Sequence, residues 1–452
     1  MPSAFIYLGV LLGAVIIWFV LFKRPIYEAI AISFLALVAI TDTWGKLWEF
    51  INVGLSSTLL YSMVAFIAMS IILTKTKIID SCVMIILALL GRVPGGVGYA
   101  SVVASSFMGA LSGSGPGNVM ATGAITVPAM KKAGFPPELA ANVVSNASYM
   151  GNMIPPSSNI LAALAAYHAI YGEDSLSQGQ FWIVLWGIAL WFILQRMVMV
   201  FGFCAYYKVK PLPKEEIPSL KETVKKSWQG LLLPVIILLP FIFDYLFKDG
   251  FITARLGAAG AKSFSSALLI FVPGLVAVLS FLMVKNKRDF TPAKIADFFS
   301  KSVKSIAPAV GVCVIGYMIG AMFAELGVGE EMKAFIVDAN MSKLGLVIGI
   351  CVLTCFLGMV IPGSSLVVTF GSVFIASLES VGVDPVLAAA MLPCICGVMC
   401  GITPPLGLGM YAGMSLAESD FKKTFKNNLW WVAAQFIMQV IVLMGWLPIL
   451  GL

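Results

Sequence analysis

The sequence contains few charged side chains and only one histidine. Charged residues make up 11% of its 452 residues, while 60% are apolar. Soluble domains carry about 25% charged and 45–50% apolar residues. So much apolar surface cannot be hidden from water in a soluble fold of this length, so the composition predicts an all-α, polytopic membrane protein.

Cysteine is present but unpatterned. The eight cysteines stand at positions 82, 204, 313, 351, 355, 394, 396 and 400, without a Cys-x-x-Cys pair. Cys394, Cys396 and Cys400 lie close together in the sequence, but no histidine or carboxylate lies near them. Small-residue packing is therefore a better interpretation than a metal cluster.

The single histidine also argues against an enzyme. A serine protease at Gly113-Ser114-Gly115 would need a general base, and His168 is expected at the outer end of its helix. The wider Gly-x-Ser-x-Gly pattern is not matched either. We therefore expect no catalytic residues and no cofactor.

Six apolar runs approach or exceed the roughly 20 residues that cross a bilayer, and they cover residues 4–22, 57–73, 181–203, 228–247, 264–284 and 429–450. The first run has no small-residue cleavage site after it, so we expect a retained helix.

The net charge is +7, but the basic residues lie in short loops between apolar runs. This pattern sets orientation in the membrane and needs no nucleic-acid partner. With the basic loops in the cytoplasm, the sequence predicts ten crossing segments and both termini outside. The loop 248–262 fits less well, because it is expected outside yet holds Lys248, Arg255 and Lys262.

Two stretches correspond at an offset of 248 residues, and matched glycines and prolines fix backbone geometry rather than polarity. The pairs include Gly115 with Gly363, Gly123 with Gly371, Pro137 with Pro385, Ile154 with Ile402, and Pro156 with Pro404. An odd number of crossings between the copies predicts that they have opposite orientations. Inverted repeats of this kind are typical of secondary transporters.

We therefore predict the following organisation. N-terminal scaffold helices occupy 1–56, the first repeat 57–206, a cytoplasmic linker 207–227, central scaffold helices 228–302, the second repeat 303–424 and a C-terminal helix 425–452.

Each repeat is expected to contain a re-entrant hairpin, at about 96–131 and 344–378. Their Gly-, Ser- and Pro-rich turns cannot continue a helix. Irregular backbone at membrane depth survives only when it is buried in protein or lines a watery cavity. Surface loops between two full spans would also explain the glycines, but not the repeat.

Each repeat is also expected to contain a proline-broken helix, at 138–170 and 385–416. Proline has no N–H to donate four residues back, so the pairs Pro155-Pro156 and Pro404-Pro405 should each leave two carbonyls free. The carbonyls predicted to be free are those of Gly151, Asn152, Cys400 and Gly401. A simple kink in a packed helix is the alternative, but two Pro-Pro pairs at matched positions favour a site.

Three motifs carry a family resemblance. Residues 112–123 followed by 128–135, then Ile154-Pro155-Pro156-Ser157, then residues 402–407, resemble the first hairpin and the two helix breaks of TRAP transporter large membrane subunits. This resemblance implies an elevator-type symporter in the bacterial inner membrane that imports an organic acid, such as a dicarboxylate, with Na⁺ as the coupling ion. It also implies two partners, a small four-helix membrane subunit and a periplasmic substrate-binding protein.

The resemblance places the ligands as well. A first sodium site would comprise Ser112, Gly113, Ser114, Gly115, Gly151, Asn152, Met153 and Pro155. A second would comprise Pro362, Gly363, Ser364, Cys400, Gly401, Thr403 and Pro404. The organic anion would lie near Ser114, Asn118, Ser157, Ser158, Asn159 and Ser365.

Three rival functions remain open at this point. A carboxylate carrier of the same superfamily could work without a binding protein. A channel could line its pore with the same hairpins, although channels usually assemble rings of identical filters. A scaffold subunit without transport would leave the paired breaks unexplained.

Overall fold

The computed structural model describes residues 3–76, 78–112, 115–213, 215, 217–283 and 291–452. Helices account for 84% of the chain, and the described residues contain no strand. The all-α class predicted from composition is confirmed.

The first half of the chain forms eleven helices. They are α1 Ser3–Val15, α2 Ile26–Thr41, α3 Leu47–Ser56, α4 Thr58–Thr76, α5 Ile78–Leu90, α6 Gly96–Ser112, α7 Gly115–Lys132, α8 Pro137–Met150, α9 Ser158–Tyr171, α10 Gln178–Tyr207 and α11 Leu220–Ser227. A π-helical segment, Ile16–Leu21, extends α1.

The second half of the described chain forms ten helices. They are α12 Gln229–Phe247, α13 Thr253–Met283, α14 Pro292–Glu325, α15 Val328–Asp338, α16 Lys343–Gly358, α17 Gly363–Ser380, α18 Pro385–Leu392, α19 Met399–Ile402, α20 Leu408–Ala417 and α21 Phe421–Leu443. A π-helical segment, Pro393–Val398, joins α18 to α19. Two predicted boundaries, at 303 and 425, fall inside α14 and α21.

Local sequence explains where several helices begin. Pro137 and Pro385 both open a helix, because the fixed φ of proline suits the first helical turn and its missing N–H is not needed there. Ser177 and Gln180 form a capping box at the start of α10. The Asp384 carboxylate accepts from the N–H groups of Val386 and Leu387 at the start of α18.

In the described part of the chain, five helices are long and apolar enough to cross a bilayer, or up to seven if each of two bent pairs forms one span. The sequence predicts ten crossing segments. Several of the predicted crossings are built from shorter apolar helices, such as α6 and α16, or from helices that are interrupted. The length of the helices alone therefore does not give the number of membrane crossings.

The helices differ in how deeply they lie in the molecule. In Pro385–Ile402 and Gly363–Ser380, 89% and 78% of the residues are buried, against 28% in the α12 span Gly230–Phe247. The interrupted helices and hairpins thus form the centre, and α12 and α13 lie outside it. Exposed apolar side chains such as Leu239, Phe271 and Leu282 suit contact with lipid.

The central helices pack in a crossed pattern. In the first hairpin, α7 contacts both α8 and α20, and in the second hairpin α17 contacts both α18 and α9. Each hairpin therefore packs on one half of each interrupted helix. The outer helices α4 and α14 contact α9, and α14 and α15 contact α17.

Candidate functional site

The first hairpin brings its polar residues against the first helix interruption. The turn residues Gly113 and Ser114 lie outside the described residues, so the structure does not test their predicted roles, and Ser112 ends α6. Hydroxyl pairs join the two hairpin helices, with Ser101 Oγ 3.2 Å from Thr126 Oγ1 and Ser105 Oγ 2.8 Å from Thr122 Oγ1. The two helices of this hairpin are thus joined by a buried row of hydroxyl groups.

Asn118 is the hairpin residue with an unused polar atom. Its Nδ2 donates to the carbonyl of Ser105 at 2.7 Å, while its buried Oδ1 has no hydrogen-bond partner. A Cβ added to Gly109 would lie 3.0 Å from Asn118 Nδ2 and 3.0 Å from the Cα of Gly151. Asn118 therefore lies beside the interruption, and its Oδ1 is free to bind a cation or a donor group.

The first interruption runs from Gly151 to Ser157. Gly151–Met153 form a single 3₁₀ turn, Ile154 is extended with φ −104° and ψ 125°, and α9 begins after Ser157. The extended conformation follows from the proline after Ile154, whose ring disfavours a helical residue before it. Ser157 caps α9 through its Oγ, which accepts from the N–H of Asn159 at 3.4 Å.

The prediction that the Gly151 carbonyl is free of hydrogen bonds is wrong. The N–H of Ile154 donates to this oxygen at 3.2 Å, because the tight 3₁₀ turn supplies a donor three residues ahead. Asn152 also contributes through its side chain, since its Nδ2 donates to the carbonyl of Gly397 at 3.3 Å. The first interruption therefore contacts the second repeat directly.

The second interruption has the same backbone form. Thr403 is extended with φ −102° and ψ 120° before Pro404, and its Oγ1 donates to the carbonyl of Met399 at 2.6 Å. The Leu406 N–H donates to the carbonyl of Met359 at 3.1 Å. This hydrogen bond connects the break to the end of α16, the first helix of the second hairpin. The Thr403 oxygen keeps its lone pairs as possible ligands.

The second hairpin approaches this break closely. The N–H of Gly363, the first residue of α17, donates to Cys400 Sγ at 3.1 Å, and Cys400 Sγ donates to the carbonyl of Gly397 at 3.2 Å. A Cβ on Gly363 would come within 2.5 Å of the Gly397 Cα, so only glycine fits here. Cys400 thus packs as a small polar residue, and no metal cluster of His, Cys, Asp or Glu occurs among the described residues.

The predicted substrate residues divide into two sets. Ser157, Ser158 and Asn159 form the start of α9, and Asn118 lies near them across Gly109 and Gly151. Ser365 is buried and Ser364 half-buried in the first turn of α17. Asn159 links the two sets through Gly397. The Asn159 Nδ2 would lie 3.2 Å from a Cβ added to Gly397, and the Gly397 backbone also contacts Gly363 at the start of α17.

Tyr149 was not anticipated from the sequence, although it joins both interruptions. Its ring fills the space where a Cβ on Gly115, Gly401 or Gly409 would otherwise lie. At the offset of 248 residues its counterpart is Gly397, so one repeat places a large ring where the other has none.

Arg196 is the second residue that sequence reasoning missed. It lies in the middle of α10, inside the apolar run 181–203, with 1% of its surface exposed. A charged residue within a span was a visible signal, because such residues are rare there and usually functional.

A cavity of about 600 Å³ lies at the expected outer end, between the loop after α9 and the start of α13. Lys262 Nζ lies 2.7 Å from Asp174 Oδ1 and 3.5 Å from Glu173 Oε2. The hydrogen bond from Lys262 lowers the pKa of Asp174 below its ordinary value. The prediction of a loop at 248–262 is wrong, because Lys248–Ile252 is π-helical and Lys262 lies in α13; pairing with these acids offsets the charge of Lys262 at the end that is expected outside.

An all-helical chain with lipid-facing outer helices, and with two interrupted helices in contact at its centre, has the architecture of a multi-pass membrane transporter. The fold is similar to that of MtrF, an antimetabolite efflux pump of Neisseria gonorrhoeae, with a TM-score of 0.63 at 14% identity over 92% of this chain and 86% of that chain.

The chain belongs to the family described as the tripartite ATP-independent periplasmic transporter, DctM component, whose model matches residues 4–450. It is 27% identical to the C4-dicarboxylate TRAP transporter large permease protein of Vibrio cholerae, over 85% of this chain and 84% of that protein. It is 24% identical to the ectoine TRAP transporter large permease protein of Halomonas elongata, over 89% and 88% of the two chains. The family resemblance inferred from the three motifs is confirmed, and the relatives carry different substrates.

Proposed function

We propose that this chain is the large membrane subunit of a Na⁺-coupled symporter that imports a small organic acid across the bacterial inner membrane. The observation that carries the proposal is the contact between the two interrupted helices beside their breaks, through Asn152 and Gly397 and through the Tyr149 ring against Gly401. Secondary transporters bind substrate and coupling ion where broken helices of two repeats meet.

Neutral oxygens at the interruptions support Na⁺ as the coupling ion. Asn118 Oδ1 is buried without a partner, and the hydroxyl oxygens of Ser157 and Thr403 lie at the two breaks. A hard cation binds amide, hydroxyl and carbonyl oxygens, and these ligands avoid the desolvation of a buried carboxylate. Inward movement of one Na⁺ at 100 mV contributes about 2.3 kcal/mol.

The N-terminal ends of two central helices, one after a break and one in a hairpin, support an anionic substrate. Helix α9 begins at Ser158 beside the first interruption, and α17 begins at Gly363 beside the second. The unpaired N–H groups of a helix N-terminus attract carboxylates. The carboxylate would lie between Asn118, Ser157 and Asn159, on the side of the first repeat.

An elevator movement of the central helices fits the packing around the first interruption. Pro155 and Pro156 face an apolar cavity together with Pro234 and Ile237 of α12, which lies outside the centre. An apolar interface between these two parts has few hydrogen bonds to break when one part slides along the other. The central helices would move and α12 would remain in place.

The proposal includes two partners, a small four-helix membrane subunit and a periplasmic substrate-binding protein. It is supported by the family, whose name describes a tripartite transporter. The exposed apolar faces of the outer helices offer the contact surface for a membrane partner and for lipid.

Uptake into proteoliposomes that contain the large subunit with its membrane and periplasmic partners tests the proposal. Succinate, sialic acid and ectoine serve as the probes, and an inward Na⁺ gradient is compared with an equal choline gradient at one pH. We expect uptake of at least one probe in Na⁺ and background uptake in choline. Equal uptake in choline would refute Na⁺ coupling, and uptake that never exceeds the external concentration would indicate a channel.

A further inference from the structure

Arg196 is a charged side chain buried among neutral groups. Its guanidinium donates to the side-chain oxygens of Gln195 and Gln435, each at 2.6 Å, and more weakly to the carbonyls of Asn146 and Phe192, each at 3.4 Å. Among the described residues, no carboxylate lies within ion-pair distance of it. Arginine stays protonated in proteins, so one positive charge remains uncompensated here.

A purely structural role does not require this charge. Arg196 of α10 bonds to α8 and to α21, and these two helices are also joined to each other by neutral amides. Asn142 Nδ2 donates to Asn427 Oδ1 at 2.8 Å and Asn146 Nδ2 to Asn428 Oδ1 at 3.1 Å. Amide pairs therefore suffice to connect α8 with α21. A buried charge without an ionic partner is costly in a membrane protein and calls for a functional reason.

The charge of Arg196 is hydrogen-bonded to the helix before the first interruption and is connected through Gln435 to the helix before the second. Its acceptor Asn146 precedes Gly151 by five residues, which is about 7.5 Å along a helix. Gln435 connects Arg196 to the second interrupted helix. Its Oε1 accepts from Arg196, and its Nε2 donates to Cys394 Sγ at 3.0 Å. Cys394 lies in the same π-helical segment as Gly397. The charge therefore acts on both predicted ion sites and on the space between them.

We propose that Arg196 is a fixed countercharge that makes the central site selective for substrates of net negative charge. This inference rests on the proposed function, and it adds a residue that sets the preference of the site for anions. The charge attracts an organic anion and repels Na⁺ without contacting either. Binding of the anion then offsets the repulsion, so that Na⁺ binds more tightly once the anion is present.

The variants Arg196→Gln and Gln435→Glu test this proposal from two directions. The first removes the charge, while the second keeps Arg196 and neutralises it with a carboxylate of nearly the same shape as glutamine. Arg196→Lys keeps the charge, and Asn142→Ala removes a neutral amide from the same helix contact. Gln435→Glu preserves the hydrogen bond from Arg196 and loses only the one from Nε2 to Cys394 Sγ, so the test survives if Arg196→Gln does not fold.

The measurements are the Na⁺ concentration at half-maximal uptake, the KM for succinate and direct binding of ²²Na⁺ to the purified large subunit. In the substrate-free protein we expect both neutralising variants to bind Na⁺ about five- to tenfold more tightly than wild type. This is the size that Coulomb's law gives for unit charges roughly 12–16 Å apart at an effective dielectric constant of about 20. The KM for succinate should rise by a similar factor, and Arg196→Lys should retain both wild-type values.

The direction in which Na⁺ affinity changes in the neutralising variants distinguishes a countercharge from a structural role. A structural role predicts weaker Na⁺ binding in Arg196→Gln and a comparable loss in Asn142→Ala, and that result would overturn the proposal. Unchanged Na⁺ affinity in Gln435→Glu would also overturn it. If wild type itself binds no Na⁺, the proposed function fails before any variant is compared.

Discussion

The aromatic ring of Tyr149 packs against the backbone of Gly409, across the contact between α8 and α20. Tyr149 stands two residues before the first interruption, and Gly409 lies in the half-helix that follows the second. The same ring covers Gly115 and Gly401. One side chain therefore connects the first hairpin to both broken helices.

The fit of Tyr149 against Gly401 predicts a suppressor pair. Gly401→Ala places a methyl group within the ring of Tyr149, and overpacking of a buried site costs about 1–3 kcal/mol. We expect Gly401→Ala to lose uptake and stability, and Gly401→Ala with Tyr149→Ala to be more stable than Tyr149→Ala alone. Melting temperatures in detergent measure this.

Gly274→Ala in α13 is the matched control, because nothing lies within 4 Å of a Cβ at that glycine. It should melt as wild type does. Additive losses in the double variant would show that Tyr149 and Gly401 do not interact as described.

Asn118 provides a test of the first ion site. Asn118→Ala removes the unpartnered Oδ1. Losing one oxygen ligand weakens the binding free energy by about 1–3 kcal/mol, which corresponds to a Na⁺ affinity roughly five- to hundredfold weaker. The half-saturating Na⁺ concentration measures this. An unchanged value would remove Asn118 from the site, and Asn142→Ala serves as the control for loss of a buried amide.

The prolines of the two interruptions should matter for uptake more than for folding. Pro156→Ala and Pro404→Ala each return one backbone N–H to the break, while the neighbouring proline remains, and so alter the ligands there. We expect Na⁺-dependent uptake to fall further than the amount of protein in the membrane, as quantified by immunoblot.

Pro273→Ala in α13 is the control for these prolines, since Pro273 lies inside a helix that continues past it. Wild-type uptake kinetics in both Pro156→Ala and Pro404→Ala would contradict the assignment of the breaks as ion sites.

Cys400 should tolerate serine but not valine. Its Sγ accepts from the N–H of Gly363, and a valine would leave that buried N–H without a partner, which costs about 1–3 kcal/mol. We expect Cys400→Val to lower the melting temperature more than Cys400→Ser does. Cys313→Val in α14 is the comparison, and equal shifts at the two positions would show that the Cys400 contact contributes little.

The sequence predicts those parts of the fold that depend on local chemistry. Pro155 and Pro404 lack a donor wherever they lie, so the helix breaks follow from the sequence alone. The hydrogen bond that the Gly151 carbonyl accepts could not be predicted from the sequence, because a neighbouring N–H replaces the missing donor when the chain tightens into a 3₁₀ turn.

Contacts that depend on packing were beyond sequence reasoning. Tyr149 reaches Gly401 and Gly409 across 250 or more residues of chain, and no local pattern specifies that approach. The partners of Arg196 likewise come from three helices. What the sequence offered was only the presence of a charge inside an apolar run.

Direct binding of ²²Na⁺ to the purified large subunit tests the central claim, that the two interruptions are ion sites. We predict saturation at two ions per chain in wild type and at one ion in each of Pro156→Ala and Pro404→Ala at the same Na⁺ concentration. Two ions bound with unchanged affinity in both variants, or no bound Na⁺ in wild type, would contradict the account.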